Sequence, residues 1–251
     1  MATELSTVQG RSPSSLPDQP KNRILSSLPT AEFDQIARDL RPMPLAARQI
    51  CHKQGEIIRS VYFPGGGACS LIKVMRDGRT SEVASIGAEG IIGAGVFFGD
   101  DVSHVDVIAQ VRDPYAVGMP VYAFAAAMNQ RGALYNRVAR YSQTLAMQIT
   151  QTAACNGLHS VRSRWCRWLL TTHDRVGGID LTVTQDFVAS MLGVRRPTVT
   201  LITAELAKAG LIRAHRGRIT VLDRPGIEAA SCECYDSIRS NFRRLLPDLT
   251  H

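Results

Sequence analysis

The sequence predicts an α+β protein with an N-terminal jelly-roll β-barrel, a long central helix and a C-terminal winged helix-turn-helix. Three observations lead to this fold class. Short apolar runs separated by turn residues fill about residues 45–119, as is typical of small antiparallel barrels. Residues 120–156 then change to a helical spacing of apolar positions. A 20-residue segment that begins at Gln185 has small, apolar and glycine residues where two tightly joined helices need them.

The first part of the chain is predicted to hold a tail and then the barrel. Residues 1–20 contain three Pro and four Ser with little apolar periodicity, which indicates a mobile tail. A short helical segment follows over residues 24–40, with Thr30 as its N-cap and Pro42 as the residue that ends it. The barrel is predicted within residues 21–128.

The strands of the barrel are predicted from short runs of β-branched, aromatic and other apolar residues. Asp77-Gly78, between two of these runs, is the best hairpin turn, because glycine accepts the positive φ angles that tight turns require. The predicted strands are residues 57–58, 61–63, 70–74, 82–86 and 105–111.

The helix predicted over residues 129–156 carries a narrow apolar stripe. Its members lie three or four residues apart, which suits the seam of a coiled coil between two copies of the chain. We therefore expect a homodimer whose interface includes Leu134, Val138, Tyr141, Leu145 and Ile149. The alternative is an ordinary amphipathic helix that packs on its own barrel.

The segment that begins at Gln185 predicts a helix-turn-helix. Ala189 is small enough for two helices to cross closely, and Gly193 can adopt the left-handed conformation of the tight turn. Thr184 is a suitable N-cap, and Pro197 suits the first turn of the second helix. The inward-facing positions of both helices are apolar: Val188, Leu192, Val194, Val199 and Ile202. The alternative is two core helices joined by a glycine turn.

The residues after the second helix predict a wing, so that residues 157–224 form a winged helix-turn-helix. A strand, an Arg-Gly turn and a second strand follow one another over residues 211–222. Arg213, Arg216 and Arg218 lie on or beside the tip of this hairpin, where they could contact a phosphate backbone. An exposed and merely solvated arginine cluster is the alternative.

Charge and composition narrow the partners and the location. The net charge of +7 is uneven, since residues 157–251 hold 14 Lys or Arg against nine acidic residues, whereas residues 1–132 hold 13 of each. A basic C-terminal part favours a nucleic acid over a membrane surface, with a solvated basic surface as the alternative. No apolar run reaches the ~18 residues of a membrane helix, and the N-terminus lacks the apolar stretch of a signal peptide. We expect a cytoplasmic protein with no membrane partner.

The order of barrel, long helix and winged helix-turn-helix resembles the cyclic-AMP receptor protein and fumarate–nitrate regulator (Crp/Fnr) family over about residues 21–224. The resemblance implies a homodimeric, sequence-specific bacterial transcription regulator with a cyclic-nucleotide-binding-like sensory barrel. Its implied partners are double-stranded DNA, RNA polymerase and a small-molecule effector of unknown identity. The segments that carry the resemblance are V-Y-F-P at residues 61–64, D-G-R at 77–79, E-G-I-I-G at 89–93 and L-G-V-R-R-P-T-V at 192–199.

The resemblance also implies which residues contact DNA. Proteins with a helix-turn-helix use the N-terminal residues of the second helix to read base edges. Arg196 is implied as the base-reading residue, and Arg195 as a residue nearer the backbone. The full set of implied contacts is Thr184, Gln185, Arg195, Arg196, Thr198, Thr200, Arg213, Arg216 and Arg218.

The barrel departs from the family members that bind cyclic nucleotides. Those members share a Gly-Glu pair that binds the ribose and, further along, an Arg that pairs with the cyclic phosphate. Here Gly93-Ala94 and His104-Val105 occupy the corresponding places and form the candidate effector pocket. Ala94 has no side-chain acceptor, His104 is neutral at most cytosolic pH values, and Asp106 would repel a phosphate. We therefore expect no cyclic AMP in this barrel.

The cysteines predict neither an iron–sulfur cluster nor another metal site. The oxygen-sensing members hold their cluster with cysteines near the N-terminus, whereas no Cys precedes Cys51 here. Cys232 and Cys234 fall in a C-terminal extension, residues 225–251, that is helical in pattern, and residues two apart on a helix face different sides. We expect reduced thiols that are buried as small hydrophobes. A haem stays open, although no spacing of the six His and six Cys favours it.

Two other functions are compatible with the fold. One is a metal-dependent, cupin-like enzyme, but the chain has no His-x-His, no Gly-rich phosphate loop and no nucleophile elbow. We therefore expect no catalysis. The other is a sensory or interaction protein that has lost specific DNA binding. Arg195 and Arg196 argue against it, because they stand where base edges are read.

Overall fold

The structure, a computed structural model, describes residues 20–178 and 180–247. The tail predicted over residues 1–20 therefore lies outside the described residues, except for Pro20. The predicted fold class is confirmed, since a β-barrel, a long helix and a winged helix-turn-helix follow one another along the described chain.

The barrel is built from two antiparallel sheets. Its strands are β1 (Arg41–Pro42), β2 (Ile50–His52), β3 (Ser60–Phe63), β4 (Ala68–Val74), β5 (Thr80–Ile86), β6 (Asp106–Val111) and β7 (Val117–Pro120). One sheet has the order β1-β7-β3 and the other the order β2-β6-β4-β5. Between β5 and β6 the chain passes through a 3-10 helix at Ala94–Phe98.

Two short helices precede the barrel, and the rest of the chain is mostly helical. The helices are α1 (Arg23–Ser26), α2 (Thr30–Ala37), α3 (Val121–Asn129), α4 (Ala133–Leu158), α5 (Val161–Val176), α6 (Gln185–Leu192), α7 (Arg196–Lys208), α8 (Arg224–Ala230) and α9 (Cys234–Leu245). Three further strands, β8 (Asp180–Thr182), β9 (Ile212–His215) and β10 (Arg218–Val221), form a small sheet in the order β8-β10-β9. Among the described residues, a helix with the length and apolar character for a membrane span does not occur.

The N-terminal helical segment differs from its prediction. It is two helices rather than one, and Asn22 caps the first by accepting a hydrogen bond from the backbone N–H of Leu25 at 3.2 Å. Thr30 is the first residue of α2 and not its N-cap, because Pro29 takes the cap position without a side-chain hydrogen bond. Pro29 has no side-chain acceptor, so the first N–H groups of α2 receive no side-chain cap.

The predicted hairpin turn at Asp77-Gly78 is confirmed. Gly78 has a φ of +81°, and the backbone N–H of Met75 donates to the carbonyl of Arg79 at 2.8 Å. Residues 57–58 lie outside the strands, and Ile57 makes only an isolated bridge with Val102. The short strands β1, β2 and β7 had no clear signal in the sequence.

The first half of α4 packs on its own barrel. Leu134, Val138 and Tyr141 are at most 1% exposed and belong to the same core as the barrel strands. A Cβ atom on Gly90 would lie 2.5 Å from the ring of Tyr141, so the helix approaches the barrel closely. The predicted dimer seam is wrong for these three residues, and the alternative of an amphipathic helix holds for them. Leu145 is half-buried against the core, and Ile149 is 38% exposed.

A second core holds the winged helix-turn-helix together and joins it to the barrel. Trp165 and Trp168 of α5 are buried in it. The indole N–H of Trp168 donates to the carboxylate of Glu82 in β5 at 3.1 Å, and the hydroxyl of Thr172 donates to Gln110 in β6 at 3.2 Å. Burial raises the pKa of Glu82. The barrel and the winged-helix domain therefore share a buried polar interface.

The C-terminal extension is two helices and not one continuous helix. Residues 231–233 separate α8 from α9, so that Cys232 lies in the connection and Cys234 begins α9. Ile238, Phe242 and Leu246 then join the barrel core, which places α9 alongside α4. The premise that Cys232 and Cys234 share one helix is therefore wrong.

Candidate nucleic-acid interface

The turn between α6 and α7 has the geometry that the sequence predicts. Thr184 caps α6 by accepting a hydrogen bond from the backbone N–H of Phe187 at 3.4 Å. Gly193 ends α6 with a φ of +64°, a conformation that favours glycine. Ala189 is buried where the two helices meet, and Val199 of α7 is fully buried in the same core. These contacts fix the start of α7 relative to α6.

The N-terminal end of α7 presents its arginines to solvent. Arg195 is the N-cap residue, and Arg196 begins the helix; both side chains are exposed. The Nε atom of Arg196 lies 3.5 Å from the carboxylate of Asp186, and both side chains are more than 60% exposed. An ion pair this exposed is weak, so the guanidinium is available to another partner.

Thr198 and Thr200, which follow in α7, differ in their exposure and contacts. The hydroxyl of Thr200 donates to the side-chain oxygen of Gln185 at 2.7 Å and lies 3.2 Å from the carbonyl of Arg196. Thr200 is exposed, whereas Thr198 and Gln185 are half-buried. Gln185 and Thr200 thus form one hydrogen-bonded pair across the two helices.

The wing is a two-residue hairpin between β9 and β10. Arg216 has a φ of 44° and Gly217 a φ of 77°, as a type I′ turn requires at its two central positions. His215 and Arg218 are paired directly before and after the turn. Arg213, Arg216 and Arg218 are exposed, and Arg218 lies 3.5 Å from Asp180 of β8. The predicted Arg-Gly turn therefore places one guanidinium at the tip and two beside it.

A cleft of about 350 Å³ separates the start of α7 from the wing. Five of the nine predicted DNA contacts line this cleft: Thr184, Gln185, Arg196, Arg216 and Arg218. Arg213 lines a neighbouring cavity, together with Asp180, Arg216 and Arg218. Arginine forks and hydroxyl groups arranged in this way match phosphate oxygens and the acceptor edge of guanine.

One neighbour of the cleft was missed in the sequence. Arg48, which lies in the barrel between β1 and β2, donates to the hydroxyl of Thr184 at 3.2 Å. The two residues are 136 positions apart, so no local pattern joins them. Arg48 has a φ of 68°, which is uncommon for a residue with a Cβ atom and could have drawn attention only in the structure.

Both halves of the chain match known domains. Residues 42–131 match the cyclic nucleotide-binding domain, and residues 163–230 match the Crp-like helix-turn-helix domain. The chain belongs to the Crp/Fnr family. This assignment confirms the resemblance found in the sequence.

Individual relatives of this Crp/Fnr chain are distant. The transcriptional regulator SdrP of Thermus thermophilus is 39% identical over 56 residues, and the matched segment spans 22% of this chain and 28% of that protein. A Crp/Fnr-family regulator from Eubacterium rectale has a TM-score of 0.65 at 18% identity, covering 82% of this chain and 96% of the other. A CRP-family regulator from Thermus thermophilus has a TM-score of 0.64 at 21% identity, covering 75% and 96%. At such identities the two structures show the fold.

The residues predicted to form the effector pocket of this Crp/Fnr barrel do not line one common cavity among those described. Gly93, with a φ of +94°, is the N-cap of the 3-10 helix, and Ala94 is buried. His104 is 75% exposed, and its Nε2 atom lies 2.6 Å from the carboxylate of Asp100. Val105 is half-buried. The histidine is thus engaged with an acidic group at the surface, in a place where a phosphate would meet a negative charge.

A second group of polar side chains was also missed in the sequence. Cys155 and His159 at the end of α4 meet Cys232 in the connection before α9 and Cys234 at the start of α9. The hydrogen bond between the sulfur atoms of Cys155 and Cys232 lowers the pKa of Cys155, with burial acting against it and Arg167 acting with it. Only the pairing of α4 with α9 brings these four residues together.

Proposed function

We propose that this Crp/Fnr chain is a sequence-specific DNA-binding transcription regulator that acts as a homodimer. The observation that carries the proposal is the exposed arginine pair at the start of α7 beside a cationic wing. RNA polymerase and a small-molecule effector complete the proposed partners. A regulator of this kind binds a palindrome whose half-sites lie about one helical turn of DNA apart.

In this proposal, α7 reads the base sequence and the wing contacts the phosphate backbone. The start of α7 enters the major groove, where Arg196 donates two hydrogen bonds to O6 and N7 of a guanine, worth about 1–3 kcal/mol of discrimination. In the free protein this guanidinium lies 3.5 Å from Asp186 in an exposed and weak ion pair, so it can turn to the base. Arg216 and Arg218 contact phosphates, which gives affinity without sequence preference.

Substitution of Arg196 by alanine is expected to relax sequence preference at one G·C pair in each half-site. The operator is first selected from a random DNA pool, with and without cell extract. Affinities of wild type and Arg196→Ala are then measured on that operator, on single-base variants and on a scrambled duplex. The discrimination against other bases at that position should fall about 10- to 100-fold. Arg216→Ala is the matched control, because it makes the same chemical change on the wing, at a residue proposed to contact phosphate.

The control should weaken binding to all duplexes alike and lower the slope of affinity against salt concentration by about one unit. If Arg196→Ala instead weakens operator and scrambled duplex equally, Arg196 is a phosphate contact and the assignment of the reading residue is wrong. If the wild type selects no sequence from the pool, the proposed function itself fails.

Cyclic AMP is expected not to bind the barrel with a Kd in the micromolar range or below. Ala94 has no oxygen for the ribose, and the ring of His104 already faces the carboxylate of Asp100 at 2.6 Å, which would repel a phosphate. Isothermal titration calorimetry with the purified dimer tests this. Ala94→Glu/His104→Arg, which supplies the two missing groups, is the companion variant. A micromolar complex with the wild type would contradict the prediction.

The proposed dimer uses the face of α4 that the barrel and α9 leave uncovered. That face is made mostly of small and polar residues, whereas the apolar stripe of α4 faces the barrel. The residues on it are Ala139, Gln143, Ala146, Ile149, Thr150 and Ala153, all exposed except the half-buried Ala139. Small side chains allow two helices to approach closely along their length. Of the five residues that the sequence predicts for the dimer interface, Ile149 is the one that lies on this face.

A further inference from the structure

Three cysteines and one histidine meet where the end of α4 lies against the start of α9. Their Sγ atoms and a ring nitrogen of His159 all lie within 4.8 Å of one another. Cys155 and Cys234 are fully buried, Cys232 is 8% exposed, and the histidine side chain is 24% exposed. We propose that these four side chains bind one zinc ion.

The spacing of the donor atoms suits a single metal ion with four ligands. Zinc–sulfur bonds of about 2.3 Å place neighbouring ligands of a tetrahedral ion about 3.8 Å apart. The Sγ atoms of Cys155 and Cys232 are 3.5 Å apart, and Sγ of Cys234 lies 3.5 Å from Nδ1 of His159. Three thiolates and one imidazole are a ligand set typical of structural zinc sites. An iron–sulfur cluster would need its cysteines spread around several iron atoms.

Two neighbours orient these groups as metal ligands. Nε2 of His159 lies 3.1 Å from the carboxylate of Glu233 and donates to it, which leaves Nδ1 with a free lone pair facing the thiols. A carboxylate behind the imidazole is the arrangement by which zinc-binding histidines are held in position. The amide of Gln151 donates to Sγ of Cys234 at 3.0 Å, which favours a negatively charged sulfur.

Buried positive charge lies on the other side of the group. Arg164 and Arg167 of α5 are 7% and 5% exposed, and the Nε atom of each has no hydrogen-bond partner among the described residues. Both guanidiniums interact electrostatically with Cys155. Three thiolates around a divalent zinc carry one net negative charge, which the two nearby guanidiniums would stabilise.

The ion would fasten the C-terminal extension to the joint between α4 and the winged-helix domain. His159 is the C-cap of α4, and α5 begins two residues later at Val161. Ligands from residues 155–159 and 232–234 close a long loop of chain, and binding free energy at such a site adds to the stability of the fold. The site is independent of whether the protein binds DNA.

The test measures metal in the full-length protein, purified under reducing conditions from zinc-supplemented medium. We expect about one zinc per chain by elemental analysis. Replacement of zinc by cobalt should give the visible absorption bands of tetrahedral cobalt bound to thiolates. A zinc chelator should lower the melting temperature, and added zinc should restore it.

Variants separate metal binding from a general effect on folding. Cys155→Ala and Cys234→Ala should lose the zinc, whereas Cys166→Ala removes a buried thiol of α5 outside the group and should retain it. His159→Ala changes a partly exposed side chain, so this variant should fold with zinc affinity lowered at least about 10-fold. His159→Cys, which restores a fourth ligand, should regain the metal and give a cobalt spectrum with four thiolates.

Three outcomes would overturn the proposal. The first is folded wild-type protein with reduced thiols that takes up neither zinc nor cobalt. The second is equal zinc content in wild type, Cys155→Ala and Cys234→Ala. The third is an iron–sulfur cluster or a Cys155–Cys232 disulfide in protein isolated without air. None of these readouts depends on DNA, so loss of the zinc site and loss of the proposed function are told apart.

Discussion

Glu89→Gln is expected to destabilise the protein by about 3–5 kcal/mol, because it leaves a buried guanidinium without its partner. The carboxylate of Glu89 lies 2.7 Å from Nη2 of Arg175, and both side chains are only about a tenth exposed. Nε of Arg175 also donates to it at 2.9 Å, as does the backbone N–H of Gly87 at 3.0 Å. Glutamine keeps the shape but removes the charge. Urea denaturation of both proteins measures the difference.

The matched control is Glu56→Gln, which makes the same chemical change at the surface. Glu56 lies 3.8 Å from Lys53, with both side chains more than 60% exposed. Its loss should change the free energy of unfolding by less than about 0.5 kcal/mol. If Glu89→Gln is no worse than this control, the ion pair between barrel and winged-helix domain does not hold the two together.

The same ion pair sets a pH dependence with a defined sign. Burial acts to raise the pKa of Glu89, but Arg175 beside it holds the pKa below its ordinary value in the folded protein. The ion pair therefore contributes its full stability above the unfolded-state pKa of about 4.3, and that contribution is lost as the pH falls toward the folded value. Wild type should lose stability faster than Glu89→Gln in this acidic range. Parallel curves would contradict the assignment.

The helix-turn-helix could be predicted from the sequence because its requirements are local. A cap at Thr184, a left-handed turn at Gly193 and a proline at the start of α7 lie within 14 residues. Each satisfies a backbone need that short-range geometry imposes. The same holds for the turns at Gly78 and at Arg216-Gly217, whose positive φ angles follow from two adjacent residues.

The covering of α4 could not be predicted in the same way. Periodicity shows which face of a helix is apolar, but it does not show whether a partner chain or the same chain covers that face. Leu134, Val138 and Tyr141 pack on the barrel, and α9 occupies a further part of the helix. A stripe of apolar residues with a polar opposite face is consistent with both arrangements. Long-range packing decided between them.

The cysteine and histidine group was hidden for a related reason. Cys155 and Cys232 are 77 residues apart, so the spacing rules for metal ligands do not connect them. Helical periodicity also placed Cys232 inside a helix, whereas residues 231–233 are a non-helical connection between α8 and α9. Arg48 beside Thr184 belongs to the same class of contact, since its partner lies 136 residues away.

A second large effect is expected from a charge placed on the uncovered face of α4. Ala146 is exposed near the middle of that face, with Gln143 and Ala153 on either side along the helix. In a symmetric dimer through this face, two Ala146 residues lie close to the axis, because an isologous interface brings each patch onto itself. A glutamate at this position therefore places two like charges close together and out of water. Leu145→Glu would not test this, since Leu145 packs against the core of its own barrel.

Ala146→Glu should therefore convert the dimer to monomers and lower affinity for the selected operator by about 100-fold or more, because two linked half-site contacts are replaced by one. Sedimentation equilibrium measures the association state, and fluorescence anisotropy with labelled operator measures the affinity. Ala126→Glu, an identical change at an exposed position of α3, should remain dimeric and bind normally. The circular dichroism of both variants should match the wild type, since neither side chain is buried in one chain. Ala126→Glu should also keep the melting temperature of the wild type, whereas Ala146→Glu should lose the stabilisation that dimerisation adds. A dimeric Ala146→Glu with full operator affinity would place the interface on another surface, whereas a monomer with full affinity would show that DNA binding needs one chain alone.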